Sequence, residues 1–126
     1  MKAIQKYCEC LAVNRSVYGN QHVLVAKNFY LMSVSLFEVK EFSMWLEYHH
    51  EALRMMKELK EENHPDYKLF LTSFPEKLRL LIGIQNYAKD VVERSIHMAN
   101  LLLNEDEQIE FLEKIKGDLE SSIVAG

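Results

Sequence analysis

The chain is poor in the residues that break helices, with four glycines and two prolines among 126 residues. A sheet protein needs turn signals between short alternating strands. No run of alternating β-branched residues here reaches strand length between such signals, so nearly all of the chain is expected to be helical. Four glycines also leave no glycine-rich loop to cradle a phosphate, and no strained nucleophile elbow accompanies either thiol, so an enzyme is not expected. Cysteine is scarce. Cys8 and Cys10 stand two apart on one expected helix, where side chains point to different faces, so they read as reduced thiols. No further cysteine or histidine pair at matching spacing completes a structural zinc site. Neither sign of charge dominates: fifteen basic residues against nineteen acidic give a net charge of −4, scattered along the chain. That lacks the basic footprint of a nucleic-acid partner. The longest apolar runs, such as Leu78 to Ile84, are interrupted by Arg79 and fall short of the roughly 20 residues a bilayer span needs. Gln5, Lys6 and Glu9 interrupt the region where a secretory signal would need a continuous apolar core. A cytoplasmic protein without membrane or nucleic-acid partners is expected.

What is present is helical periodicity. Ile4, Tyr7, Cys8, Leu11 and Val17 recur near the helical repeat from Lys2 to about Val17, and Gly19-Asn20 follows in the manner of a left-handed C-terminal cap. A second stripe runs from His22 to Phe37 through Val25, Phe29, Met32, Ser33 and Leu36. A third runs through Phe42, Trp45, Leu46, His49, Ala52, Leu53, Met56 and Leu59, and the two are expected to form an antiparallel hairpin. Asn63-His64-Pro65-Asp66 breaks the pattern, because proline lacks an amide donor and biases its predecessor away from helix. Ser73-Phe74-Pro75-Glu76 has the form of a capping box with proline in the first turn. A helix is expected to restart there after a turn from Asp66 to Thr72, with a kinked continuous helix as the competing reading. The fifth helix is expected over Asn86 to Leu103, with Tyr87, Val91, Arg94, Met98 and Leu101 or Leu102 on one side. Asn104 caps a sixth with Glu107 as its box partner. That sixth helix carries one narrow stripe of Ile109, Leu112, Ile115, Leu119 and Ile123, the pattern of a capping element.

Two histidines mark a longer period. His22 and His64 lie 42 residues apart, each 12 residues after a small residue on an apolar stripe, Cys10 and Ala52. A fixed period on that scale is the signature of stacked helical hairpins, and both histidines are expected to cap and pack at helix starts. The offset superposes Tyr7 on His49, Ile4 on Leu46, Leu11 on Leu53, Val13 on Met55 and Val17 on Leu59. A second offset, of 45, places Leu46 on Val91, Phe29 on Phe74 and Leu36 on Leu81.

At these residues the chain resembles the tetratricopeptide repeat, in its longer kinesin-light-chain type. Ala52-Leu53 leading to His64-Pro65 matches the end of that repeat, and Cys10-Leu11 leading to Gly19-Asn20-Gln21-His22 matches it with cysteine for alanine and valine for proline. Phe29, Met32, Ser33 and Leu36 supply the large, large, small, large series of the hairpin, and Phe42 the aromatic that opens its second helix. Lys77, Leu78, Asp90 and His97 depart from the pattern. The resemblance implies an all-α, right-handed stack of antiparallel helical hairpins, a tetratricopeptide-like α-solenoid of about six helices. Its parts would be an orphan helix over 2–18, a full repeat over 22–60, a degenerate repeat over 66–103 and a capping helix over 105–124.

The resemblance further implies a non-catalytic protein-protein interaction module, an adaptor or oligomerisation segment that needs no cofactor and binds a peptide or helix of a partner protein. Its concave groove would be lined by Lys27, Tyr30, Val34, Phe37 and Glu38, continued by Arg79 and Ile82. Tyr30 and Phe37 would anchor apolar groups, and Lys27 and Arg79 carboxylates; packing against a neighbouring helix is the alternative for the two aromatics. The orphan helix would leave Ile4, Tyr7 and Leu11 to be covered by another copy, by another protein or by more of a longer solenoid. The alternative of a different class is a ferritin-like helical-bundle metal-binding protein using Glu47 and His50, with Glu93 and His97. Glu47-Tyr48-His49-His50 has the Glu-x-x-His spacing of such bundles, but no second Glu-x-x-His occurs.

Overall fold

The computed structural model describes the backbone of residues 2–82 and 89–125 and the side chains of residues 4–82 and 90–117. Among them are six helices and no strand: α1 (Lys2–Tyr18), α2 (Val23–Glu38), α3 (Phe42–Glu58), α4 (Pro65–Ile82), α5 (Lys89–Leu102) and α6 (Glu105–Ala125). None is long and apolar enough to cross a membrane.

Local chemistry sets the helix ends. Gly19 closes α1 at φ 85°, with its amide donating to the Arg15 carbonyl at 2.9 Å, a backbone conformation glycine adopts without a Cβ penalty. At the next start His22 is extended and its Nδ1 accepts from the Leu24 amide at 3.0 Å. The same device recurs at His64, whose Nδ1 accepts from the Asp66 amide at 3.0 Å, with Pro65 as the first residue of α4. Each imidazole satisfies one amide that the first helical turn leaves without a partner. Asn104 and Glu107 form the expected reciprocal box, the Glu107 amide donating to Asn104 Oδ1 at 2.9 Å and the Asn104 amide to Glu107 Oε1 at 3.0 Å.

Two further ends use lysine where glycine is usual. Lys40 and Lys60 sit at φ 65° and 58°. Lys40 donates to the Phe37 carbonyl at 3.0 Å and Glu41 to Leu36 at 2.9 Å; Lys60 donates to Lys57 at 3.1 Å and Glu61 to Met56 at 2.9 Å. These paired bonds are Schellman closures, which turn the chain sharply after α2 and α3.

The chain divides into two compact units, Met1–Leu71 and Thr72–Gly126, with the boundary inside α4. In the first, α1 and α3 both pack on α2. The three-residue connection after Glu38 makes α2 and α3 antiparallel neighbours. Their seam is aromatic: Phe37 meets Phe42 at 5.2 Å and Trp45 at 5.3 Å, and Phe29 stacks with Tyr48 at 5.8 Å. Val25, Ala26, Trp45, Leu46, Ala52 and Met56 are completely buried, which is where burial contributes most, about 1.5–3 kcal/mol for each large side chain.

The first half of α4 belongs to this unit and is joined to α3 by His49 Nε2, 2.7 Å from the Phe70 carbonyl. The α1–α2 seam holds a contact at the corresponding place, Asn28 Nδ2 donating to the Tyr7 carbonyl at 3.5 Å. Adding 42 to Tyr7 and Asn28 gives His49 and Phe70. Asn28 is only 6% exposed, and its Oδ1 accepts from Asn14 Nδ2, so its buried amide is satisfied from α1 at both ends.

In the second unit Phe74 meets Phe111 edge-on at 5.5 Å and Ile115 is completely buried. Three expectations change here. α4 does not restart at Ser73 but runs unbroken from Pro65 to Ile82 with Pro75 inside it. Proline's fixed φ is helical, so the cost is the missing amide toward Leu71, and the burial of Ser73, Phe74 and Pro75 holds the helix together across it. The buried line of α5 is Val91, Val92, Ser95 and Ala99, continued by Leu103 just past its end, while Leu101 is 74% exposed. The buried Ser95 Oγ donates to the Val91 carbonyl at 2.7 Å. On α6 the buried residues are Phe111 and Ile115, whereas Ile109 and Leu112 are exposed. Asn86 and Tyr87 lie outside the described residues, as do the side chains of Leu119 and Ile123.

Candidate functional site

The outward side of α2 carries most of the expected groove. Lys27 and Glu38 are exposed and Val34 is half-buried. Tyr30 stacks on Phe70 with ring centres 4.5 Å apart and meets the His49 ring edge-on at 5.4 Å; Phe37 is wedged between Phe42 and Trp45. Both rings are half-buried, so each packs within the unit and keeps part of its surface accessible. Ser33, on the inner side, is completely buried and donates to the Tyr30 carbonyl at 2.5 Å, fixing the helix turn that presents Tyr30. Arg79 and Ile82 stand on the part of α4 that belongs to the second unit. Arg79 is exposed, but Ile82 is 7% exposed and so offers no anchor.

The expected oligomer face is also mostly taken. Leu11 is 9% exposed and Ile4 and Tyr7 are half-buried, in a helix that packs on α2. Among the described residues, the large apolar side chains that α1 leaves in solvent include Val13, 60% exposed, and Val17, 64% exposed, in line with the exposed Cys10. Their counterparts 42 residues on, Ala52 and Met55, are buried and Leu59 is half-buried, because α3 has helices on two sides. Sequence reasoning could have found this, since Val13 and Val17 superpose on Met55 and Leu59.

One polar cluster lies on α3. Arg54 forks onto Glu51, with Nε donating to Oε2 at 2.9 Å and Nη2 to Oε1, and its Nη1 reaches Glu58 Oε1. The Arg54 hydrogen bond holds the Glu51 carboxyl below its ordinary value, and Glu51 in turn raises Arg54. Burial lowers the pKa of His50, partly offset by the Glu51 charge. This is a satisfied ion-pair network on one helix, with its carboxylates engaged. Among the described residues no three His, Cys, Asp or Glu side chains gather as a metal site; Glu47 and His50 stand on α3 in the first unit, and Glu93 and His97 on α5 in the second.

Comparison with protein-family models, curated proteins and solved structures finds no match for this chain. The chemistry of its surface therefore rests on the geometry. That geometry offers exposed apolar side chains flanked by charges, on helices fixed by buried aromatic seams.

Proposed function

We propose that the chain is a non-catalytic protein-protein interaction module of the tetratricopeptide type, presenting the outward side of α2 to a peptide or helix of a partner. The observation that carries this reading is the recurrence of two unrelated contacts at one offset. The histidine caps at His22 and His64 repeat after 42 residues, and cross-helix bonds fall at corresponding places with their polarity reversed, the Asn28 side chain reaching the Tyr7 carbonyl and the His49 side chain reaching the Phe70 carbonyl. Equivalent caps alone could arise from similar helix starts. Equivalent caps together with interhelical contacts at corresponding positions are what a repeated hairpin produces, since each hairpin is stabilised by its neighbour. Lys27, Val34 and Glu38, with the accessible edges of Tyr30 and Phe37, offer a charge at each end of an apolar centre, an arrangement suited to an amphipathic segment. The rigid seam beneath lowers the ordering cost of binding.

The test is selection from a peptide display library against the full chain, followed by fluorescence anisotropy with the selected peptides. Binding that Lys27→Glu and Val34→Glu abolish, and that Leu80→Glu leaves intact, supports the reading. Selected peptides indifferent to the α2 substitutions, or no peptide binding tighter than about 100 μM, contradict it.

A further inference from the structure

Two helix starts of the first unit use the same cap with different neighbours. His22-Val23-Leu24 superposes on His64-Pro65-Asp66 at the 42-residue offset, and in each the imidazole Nδ1 accepts from the amide two residues on at 3.0 Å. A ring accepts there only when it is neutral and carries its proton on Nε2. The backbone carbonyl of each histidine closes the turn that follows, accepting from Ala26 at 3.0 Å after His22 and from Tyr67 at 3.0 Å after His64.

A proton added to Nδ1 turns the acceptor into a donor facing another donor, and sets a positive charge at the positive end of the helix dipole. The two rings then have different places to go. Asp66 Oδ2 lies 3.7 Å from His64 Nδ1, so the imidazolium finds a carboxylate without leaving, and Pro65 keeps the first turn of α4 at a helical φ. At His22 the first turn of α2 holds no acid, and Leu24 takes the position of Asp66. The His22 ring lies instead on Tyr18 of α1, with centres 4.4 Å and planes 20° apart. A half-turn about the Cβ–Cγ bond keeps an imidazolium on that π face while carrying Nδ1–H away from the Leu24 amide. On the facing end of α3 stand Arg54 and Glu58, bonded to each other, and Lys57, which lies over Tyr67; α1 adds Arg15, which lies over Phe29, and α2 itself Lys27. Among the described residues no carboxylate comes within ion-pair distance of His22.

We infer that the two caps part in acid: protonation of His22 turns its ring from Leu24 to Tyr18 alone and releases the first turn of α2, while His64, held by Asp66, keeps that of α4 closed. The release stops short of the hairpin, because Val25 and Ala26 are completely buried. The switch lies in the first turn of α2 and does not depend on peptide binding at that helix.

Amide hydrogen exchange of the full chain, followed by NMR between about pH 8 and about pH 5 and corrected for the intrinsic exchange rates, tests it. Protection of the Ala26 amide should fall about fivefold, the equilibrium factor of a typical cap, with the midpoint of the His22 ring titration, and that of Tyr67 by less than about twofold. Equal falls at the two amides, or no fall at Ala26, overturn the inference. His22→Asn supplies an acceptor that does not titrate, so a fall at Ala26 that persists in that variant comes from another acid-induced opening and overturns it too. Exchanging the neighbours decides the part given to Asp66. Leu24→Asp, at an exposed position, should keep Ala26 protected at about pH 5, and Asp66→Asn should give Tyr67 a fall of about fivefold. If either exchange leaves the acid response where it was, the carboxylate does not hold the cap and the inference fails.

Discussion

Among the described residues three helix ends place the backbone at positive φ, and exchanging their residues should move stability in opposite directions. Lys40 and Lys60 hold the left-handed position of their Schellman closures with a Cβ present, at about 1–2 kcal/mol each. Glycine would remove that strain while losing about 0.5–1 kcal/mol through its greater freedom in the unfolded chain. The net expectation is a gain of about 0.5–1 kcal/mol per site for Lys40→Gly and Lys60→Gly. Both lysines are exposed, so little packing is lost. Gly19 is the reverse case: at φ 85° with nothing within 4 Å of an added Cβ, Gly19→Ala changes backbone energy alone and should cost about 1 kcal/mol. Thermal melts followed by circular dichroism should separate the variants, with each kcal/mol worth roughly 2–6 °C in a chain of this size. If Lys40→Gly and Lys60→Gly lower the melting temperature, or Gly19→Ala leaves it unchanged, the assignment of strain to these turns is wrong.

Other consequences can be checked alongside. Leu11→Glu puts a carboxylate into the α1–α2 seam and should cost about 2–4 kcal/mol, read as a lower urea midpoint; unchanged stability would mean the seam does not bury this residue. Pro75→Ala restores an amide that can reach the Leu71 carbonyl, worth about 3 kcal/mol against roughly 1.6 for two lost methylenes, so stability should rise by about 1 kcal/mol and a fall would refute that balance. Acid should destabilise the fold in two stages. His50 has a lowered folded pKa, so the unfolded chain takes up the proton first, and the stability this contributes is complete above 6.5 and declines as pH falls below it. Glu51, held down chiefly by its hydrogen bond from Arg54, adds a second decline below 4.5. His50→Gln should remove the first stage and keep the second in a series of urea midpoints against pH; loss of neither stage would show that other groups carry the dependence.

What could be read from the sequence was the chemistry that is local. The caps at Gly19, His22, His64 and Asn104 were legible because each involves residues within a few positions, and the α2–α3 hairpin because its apolar residues are periodic and its connection short. Lys40 and Lys60 gave no such signal, since a lysine at positive φ is indistinguishable from any surface lysine. Pro75 misled for a related reason: Ser73 to Glu76 has the form of a helix start, and only the burial of Ser73, Phe74 and Pro75 reveals a continuing helix. On α6, Ile109, Phe111, Leu112 and Ile115 are all apolar, so periodicity alone could not choose which line turned inward. Of the candidate site, the outward line of α2 was legible by its spacing. The double engagement of Tyr30 and Phe37 was not, because it depends on where Phe70 and Trp45 arrive from other helices. The Asn14 and Asn28 pair was hidden likewise, two polar residues whose burial follows from the meeting of α1 and α2.

The measurement that bears most directly on the repeated hairpin is solution NMR of the full chain at about pH 8, where an unperturbed imidazole is neutral. Long-range proton-nitrogen spectra would read the ring tautomers of His22 and His64, and nuclear Overhauser contacts would be sought between Tyr7 and Asn28 and between His49 and Phe70. The account predicts that both rings carry their proton on Nε2, leaving Nδ1 to accept the capping amide, and that both interhelical contacts are present. Different tautomers at the two histidines, or one contact without the other, would contradict the equivalence of the two hairpins and with it the main support for an interaction module.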